Sequence, residues 1–205
     1  MTRFEPIPVK ELQIKEAFKE QYKLLLGERY ESFIECSTSY IRKSIRVNTL
    51  KISVKECVAR MNKNWALEQV PWCKEGFWIM HKHEKRFDIG NTPEHQLGYI
   101  YVQDAASMLP PVVMQPEKDD FILDMCAAPG SKTTQLAAMM KNKGILVAND
   151  VQGLRIKPLG LNLKRCGTTN TLITQMPGTF FKRHTERYDA ILVDAPCSGT
   201  GTIRR

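Results

Sequence analysis

The chain has 205 residues, 42% of them hydrophobic, and a formal net charge of +8. That length allows one domain with a smaller companion, and the composition is that of a globular protein, which excludes a disordered or fibrous chain. The positive charge points to a polyanionic partner, nucleic acid before membrane.

Taken in chain order, the start "MTRFEPIPVK" lacks the apolar core of a secretory signal, and no apolar run reaches the length of a membrane span. The reducing cytoplasm is the expected compartment. Six scattered cysteines, with no C-x-x-C pair and no histidine spaced to complete a site, argue against a structural metal and a disulfide scaffold. After Pro8, "VKELQIKEAFKEQYKLLLG" reads as an amphipathic helix with Ile14, Ala17, Phe18 and Leu25 on one face and Gly27 as its stop. "ERYESFIECSTSYI" follows with Tyr30, Phe33, Ile34, Tyr40 and Ile41 at helical spacing. Residues 1–43 are therefore expected to form a helical segment.

"SIRVNTLK" is predicted to be a strand in which Ile45 and Val47 alternate with Arg46 and Asn48. Ser53 is placed to cap a helix with Val54, Val58 and Met61 inward, and "GFWIM" is a second strand. These make residues 44–92 a small α+β unit. It holds Trp65, Trp72 and Trp78, for which buried packing is preferred to stacking on RNA bases. The charge run "HKHEKR" at 81–86 reads as a solvated face.

The turn-rich "NTPEHQLG" marks a boundary near residue 93. Beyond it the order becomes strand, glycine turn, helix, repeated. "DDFILDMC", "ILVAND", "NTLIT" and "YDAILVDAP" are the strands, and the helix between the second and third contains Pro158, where a kink is expected. Such alternation implies an α/β fold with a parallel, doubly wound sheet over residues 93–205. The unbroken "AILV" reads as an interior strand buried on both faces, so a sheet that stopped there would leave an edge unpaired. The chain is on that ground expected to be the N-terminal portion of something longer.

In such sheets ligands bind beyond the carboxyl ends of the strands. "DMCAAPGSKT" supplies small residues and a helix N-terminus, but neither G-x-G-x-x-G nor the glycine spacing of a phosphate loop. Asp150, about 20 residues beyond that loop, is where an acid can hold a ribose diol. A glycine turn with a ribose acid and no polyphosphate site fits S-adenosylmethionine.

"GYIYVQDAASMLPP", "LDMCAAPGSKTTQLA", "AND" with Arg155 downstream, and "DAPCSGTGTIRR" resemble, in order, the motifs of the Sun/Fmu (Nol/Nop/Sun) family of RNA 5-methylcytosine methyltransferases, of archaeal-like tRNA type. "IRVNTLK" is similar to the family's upstream RNA-binding segment. The resemblance implies a Rossmann-like methyltransferase sheet, here its first four strands, with a small N-terminal RNA-binding unit. It implies that Cys126, Ala127, Ala128, Pro129, Gly130, Ser131 and Lys132 wrap the methionine part of the cofactor, with Asp150 and Arg155 at the ribose. Cys126 reads as a small residue in a tight turn, not a reactive thiol. The family carries an acid after the third strand, near the adenine; Pro177 stands there and supplies neither a carboxylate nor a backbone donor.

Methylating carbon 5 of cytosine requires a thiolate to add to carbon 6 while an acid protonates nitrogen 3. Asp194 is placed for the protonation, and spacing alone names Cys197 the nucleophile. The resemblance implies otherwise: the attacking cysteine belongs to a later Thr-Cys motif, and Cys197 assists product release. Residues 198–205 contain no such motif. Three readings follow: an RNA cytosine-C5 methyltransferase acting on tRNA or, next, ribosomal RNA; a catalytically silent RNA-binding protein; and a dehydrogenase, which the Pro-Gly-Ser-Lys turn disfavours.

Overall fold

Gly27 ends the first helix of the chain in a computed structural model that describes residues 14–38, 42–83, 88–183, 187–197 and 199. The expected helix start at 9–13, Tyr40, Ile41, residues 84–86 of the charge run, and the closing residues from 200 lie outside the described residues. Two compact units form: one holds the first two helices and Cys197, the other Lys43–Pro196.

In the first unit, α1 (Glu16–Leu26) and α2 (Tyr30–Thr38) meet through aromatic rings. Phe18 and Tyr22, one helical turn apart, have centroids 4.3 Å from each other, and Phe33 stacks on Tyr22 at 4.8 Å. The expected apolar face is corrected here: Leu25 stays 64% exposed, while Tyr22, a residue with a polar tip, contributes its ring to the contact.

The second unit opens with β1 (Ser44–Val47) and α3 (Val54–Met61), whose Ser53 cap accepts the Glu56 amide at 3.2 Å. Next come β2 (Trp65–Gln69), β3 (Gly76–His81), α4 (Pro93–Gln96, capped by Thr92) and β4 (Ile100–Val102). The four strands pair antiparallel in the order β2-β3-β1-β4, with Ile45 opposite both Phe77 and Val102. Ile45, Val47, Cys57, Met61, Trp65, Phe77 and Ile100 form its core. β2 and β4 were not expected from the sequence, and β4 lies past the turn at residue 93, so this sheet continues beyond that turn.

β1 is buried at all four positions, so the expected outward alternation of its polar residues fails. β1 is covered on both faces, and Arg46 points into the second half of the unit. Its Nε donates to Gln103 Oε1 (2.8 Å), and one Nη donates to Thr134 Oγ1 (2.8 Å) and the Ser131 carbonyl (3.3 Å). Asn48 donates to the carbonyls of Gly98 and Cys166, and Lys51 to those of Leu97 and Arg165. The segment that resembles an RNA-binding stretch thus commits these three side chains to internal hydrogen bonds. Trp65 is buried as expected; Trp72 is 38% exposed, edge-on to Trp78, with its indole N–H donated to the Ala105 carbonyl.

Then α5 (Leu109–Met114), β5 (Phe121–Asp124), α6 (Ser131–Met139), β6 (Ile145–Asn149), α7 (Gly153–Cys166), β7 (Thr171–Thr174) and β8 (Ala190–Leu192) build a parallel sheet in the order β7-β6-β5-β8. Ile122, Leu136, Ala137, Met140 and Leu146 pack on one face, and Leu123, Val147 and Phe181 on the other. α7 runs uninterrupted through Pro158, which lies on its exposed side, where the carbonyl it leaves unpaired meets solvent. β8 pairs with β5 along one edge; among the described residues no strand pairs with the other, and Val193 is 55% exposed, against the expected burial on both faces. No helix among the described residues is long and apolar enough to cross a membrane.

Candidate cofactor and base site

The carboxyl ends of β5, β6 and β7 converge on one region of the parallel sheet. β5 ends in Asp124, which the sequence pattern does not single out. Its Oδ2 accepts the Thr133 hydroxyl at 2.7 Å, whereas its buried Oδ1 has no hydrogen bond of ordinary geometry among the described residues, although the Cys126 amide is near enough to the carboxyl to favour its charge. Burial, opposed by the Thr133 hydrogen bond and the Lys132 charge, pushes this carboxyl up to about 6. The available signal was an acid closing an apolar strand, which reads as the strand's boundary.

From Asp124 the chain turns through 125–130 into α6. The Ala127 amide donates to the Asn149 carbonyl (2.7 Å) and the Gly130 amide to the Ala127 carbonyl (2.7 Å). Gly130 has φ +103°, and a β-carbon there would meet Leu159 Cδ1 at 3.1 Å, so the turn needs glycine on two counts. α6 starts with no side-chain cap and no acid in its first turn. The amides of its first turn are left for a ligand, and the helix dipole favours an anion there. Cys126 is half-buried, and burial, then the Asp150, Asp124 and Asp194 charges, push its thiol up, so it is not an activated thiolate.

Asp150 is brought together with Arg155 and the first loop. Its Oδ2 lies 3.2 Å from Arg155 Nη1 and accepts the Ala128 amide at 3.3 Å; its Oδ1 accepts the Gln152 amide at 3.0 Å. Arg155 also donates to the Ala128 carbonyl. Three of the carboxylate's acceptor positions are thereby used, and one remains. Asn149 stitches the three loops: its Nδ2 donates to the Met125 and Met176 carbonyls, and its Oδ1 accepts from Met176 N and Thr174 Oγ1.

Lys132, in the first turn of α6, reaches Asp194 beyond β8 at 2.6 Å. The lysine is mostly buried, and Asp194 is 57% exposed, so the pair presents a carboxylate to solvent backed by an ammonium. Cys197 is exposed and belongs to the first unit.

A dinucleotide or a nucleoside triphosphate does not suit this cradle, which has one glycine turn and no second phosphate-binding glycine. A ligand with one carboxylate, one ammonium and one ribose does. The uncapped α6 amides can take the carboxylate, the orphaned Asp124 Oδ1 the ammonium, and Asp150 the diol. Fold and cradle define the class: the Rossmann-like fold of S-adenosylmethionine-dependent methyltransferases.

Comparison with known proteins narrows the class. The profile described as "16S rRNA methyltransferase RsmB/F" matches residues 111–205, and that of the "N-terminal domain of 16S rRNA methyltransferase RsmF" matches 14–105. A ribosomal RNA small subunit methyltransferase F of Photobacterium profundum is 46% identical over 198 residues, covering 94% of this chain and 42% of that protein. The Vibrio cholerae protein of the same name is 51% identical over 177 residues, covering 84% of this chain and 37% of its own length. The crystal structure of a methyltransferase homologue from Pyrococcus horikoshii superposes with a TM-score of 0.84 at 40% identity, covering 95% of this chain and 63% of that one. NSun6 from the same organism, at 22% identity and a TM-score of 0.81, shares the fold. The chain belongs to the Sun/Fmu family of RNA methyltransferases, and it spans less than half the length of the curated relatives it matches.

Proposed function

We propose that this cradle serves an S-adenosylmethionine-dependent cytosine-C5 methyltransferase acting on small-subunit ribosomal RNA, in the cytoplasm. The carrying observation is the Lys132–Asp194 pair, which joins the first turn of the cofactor helix to the loop after β8. The relatives' names favour ribosomal RNA over the tRNA expected from the sequence. The charge of +8 suits either polyanion.

When bound, S-adenosylmethionine supplies an electrophilic methyl group. The residues of this chain hold it and prepare the base. The first-turn amides of α6, Asp124 and Asp150 bind its polar groups, while Ala127, Ala128 and Gly130 let it approach the backbone. Asp194 meets nitrogen 3 of the cytosine, and the Lys132 ammonium is the proton source behind it, so the ring accepts a thiolate at carbon 6. By the family resemblance that thiolate comes from a Thr-Cys motif, and Cys197 assists release of the product.

A second reading, an RNA-binding protein that transfers no methyl group, is favoured by Pro177, which leaves the loop after β7 without an acid. Incubation of this chain joined to a segment that carries a Thr-Cys motif with labelled S-adenosylmethionine and unmodified small-subunit ribosomal RNA or tRNA separates the two. Label at carbon 5 of cytosine in the ribosomal RNA is the expected result for the enzyme; RNA retained on a filter without label supports the second reading, and label confined to tRNA overturns the substrate assignment.

A further inference from the structure

Pro177 raises the question of what reads the cofactor's base, and the loop after β7 contains an answer. The sheet order β7-β6-β5 sets a direction. Asp124 stands at the end of β5, Asp150 just past β6, and residues 175–178 just past β7, each one strand further along. A ligand with its amino-acid end at Asp124 and its ribose at Asp150 extends its purine toward 175–178.

Most polar groups in that loop are already used. The Met176 amide donates to Asn149 Oδ1, and its carbonyl accepts from Asn149 Nδ2, both at 2.9 Å. Pro177 has no N–H, and its carbonyl accepts the Phe180 amide at 2.9 Å. Gln175 is different: exposed, with a carboxamide that has no hydrogen-bond partner among the described residues. That carboxamide lies against the first residue of α7, three positions after Asp150. A β-carbon built on Gly153 would stand 3.1 Å from its Nε2 and 3.4 Å from its Oε1, so the absence of a side chain at 153 is what gives it room.

We infer that Gln175 recognises the purine edge of the cofactor in this chain, in place of the acid that Pro177 removes. Adenine offers a 6-amino donor beside a ring-nitrogen acceptor, and a carboxamide offers the matching acceptor and donor in one plane. A carboxylate could meet only the donor. The inference rests on the proposed cofactor site, because the direction of the purine follows from Asp124 and Asp150.

Calorimetric titration tests it with two probes: S-adenosylhomocysteine, and the same molecule with hydrogen in place of the 6-amino group. The native sequence binds the first about tenfold more tightly, the worth of one hydrogen bond. Gln175→Leu binds both equally, with an unchanged circular dichroism spectrum and melting temperature, since the side chain is exposed. Gly153→Ala weakens the preference in the same direction by pushing the carboxamide aside, and the fold survives because the nearest atoms end a flexible side chain. A preference that persists in Gln175→Leu overturns the inference and leaves the cofactor site standing. Folded native protein that binds neither probe overturns the cofactor site itself.

Discussion

Burial of the Asp124 carboxyl, one of whose oxygens has no hydrogen bond of ordinary geometry among the described residues, gives its titration a consequence for stability. An aspartate ordinarily titrates near 3.8, and in the fold Asp124 titrates at about 6. Between these values the folded chain keeps a proton that the unfolded chain has released. The stability this contributes is complete below the lower value and lost as the pH rises through about 6, a change of about 3 kcal/mol for a shift of this size. Asp124→Asn can still accept the Thr133 hydroxyl but has no charge to bury. Urea unfolding of both proteins at pH 4 and pH 7 should show the variant gaining on the native sequence by about 2–3 kcal/mol as the pH rises. A difference independent of pH would place the titration elsewhere. The same variant should bind S-adenosylhomocysteine more weakly, since the amide cannot offer a charge to its ammonium.

At the level of elements, the start of α6 is held from two directions. Gly130 makes the turn from inside the loop, and Arg46 grips Ser131 and Thr134 from β1. Gly130→Ala puts a side chain at φ +103° and within 3.1 Å of Leu159, so a loss of about 1–3 kcal/mol in chemical denaturation is expected, with weaker cofactor binding as the first turn of α6 shifts. Unchanged stability would show that Leu159 yields and the turn tolerates a side chain. The glycine turn, β5 and β6 were legible in the sequence because each is a local pattern: an apolar run, an acid, small residues, then a helix. β2 and β4 were not. "WALEQ" has no strict alternation, and β4 has three residues; both become strands by pairing with β3 and β1, partners far along the chain. Arg46 was misread for a related reason, since alternation assigns polar residues to solvent when one face of a sheet is free. Here β1 is covered on both faces, and the guanidinium is satisfied by Gln103, Thr134 and a carbonyl instead of water. Asp124 escaped notice because an acid closing a strand is also how many strands simply end.

At the level of the whole molecule, both sheets lie within Lys43–Pro196 and share a polar seam, buried at Arg46, Asn48, Gln103 and Gln135 and exposed at Lys51. Arg46, Gln103 and Gln135 form one stretch of it, and Asn48, Lys51 and Arg165 another, with Arg165 also donating to the His95 and Ile100 carbonyls. Separating the sheets would leave these groups unsatisfied, at about 1–3 kcal/mol for each buried one, which favours unfolding as a single step. The tryptophans make this measurable, because Trp65, Trp72 and Trp78 all belong to the first sheet and its adjoining turn, while the cradle lies on the second. S-adenosylhomocysteine at a hundred times its dissociation constant stabilises whatever unfolds with its site by about 2.7 kcal/mol. If the two sheets unfold together, the tryptophan fluorescence transition moves to higher denaturant by that amount, in step with circular dichroism. A fluorescence transition that stays in place while circular dichroism shifts would mean that the seam does not couple them, and that Arg46 braces α6 only locally.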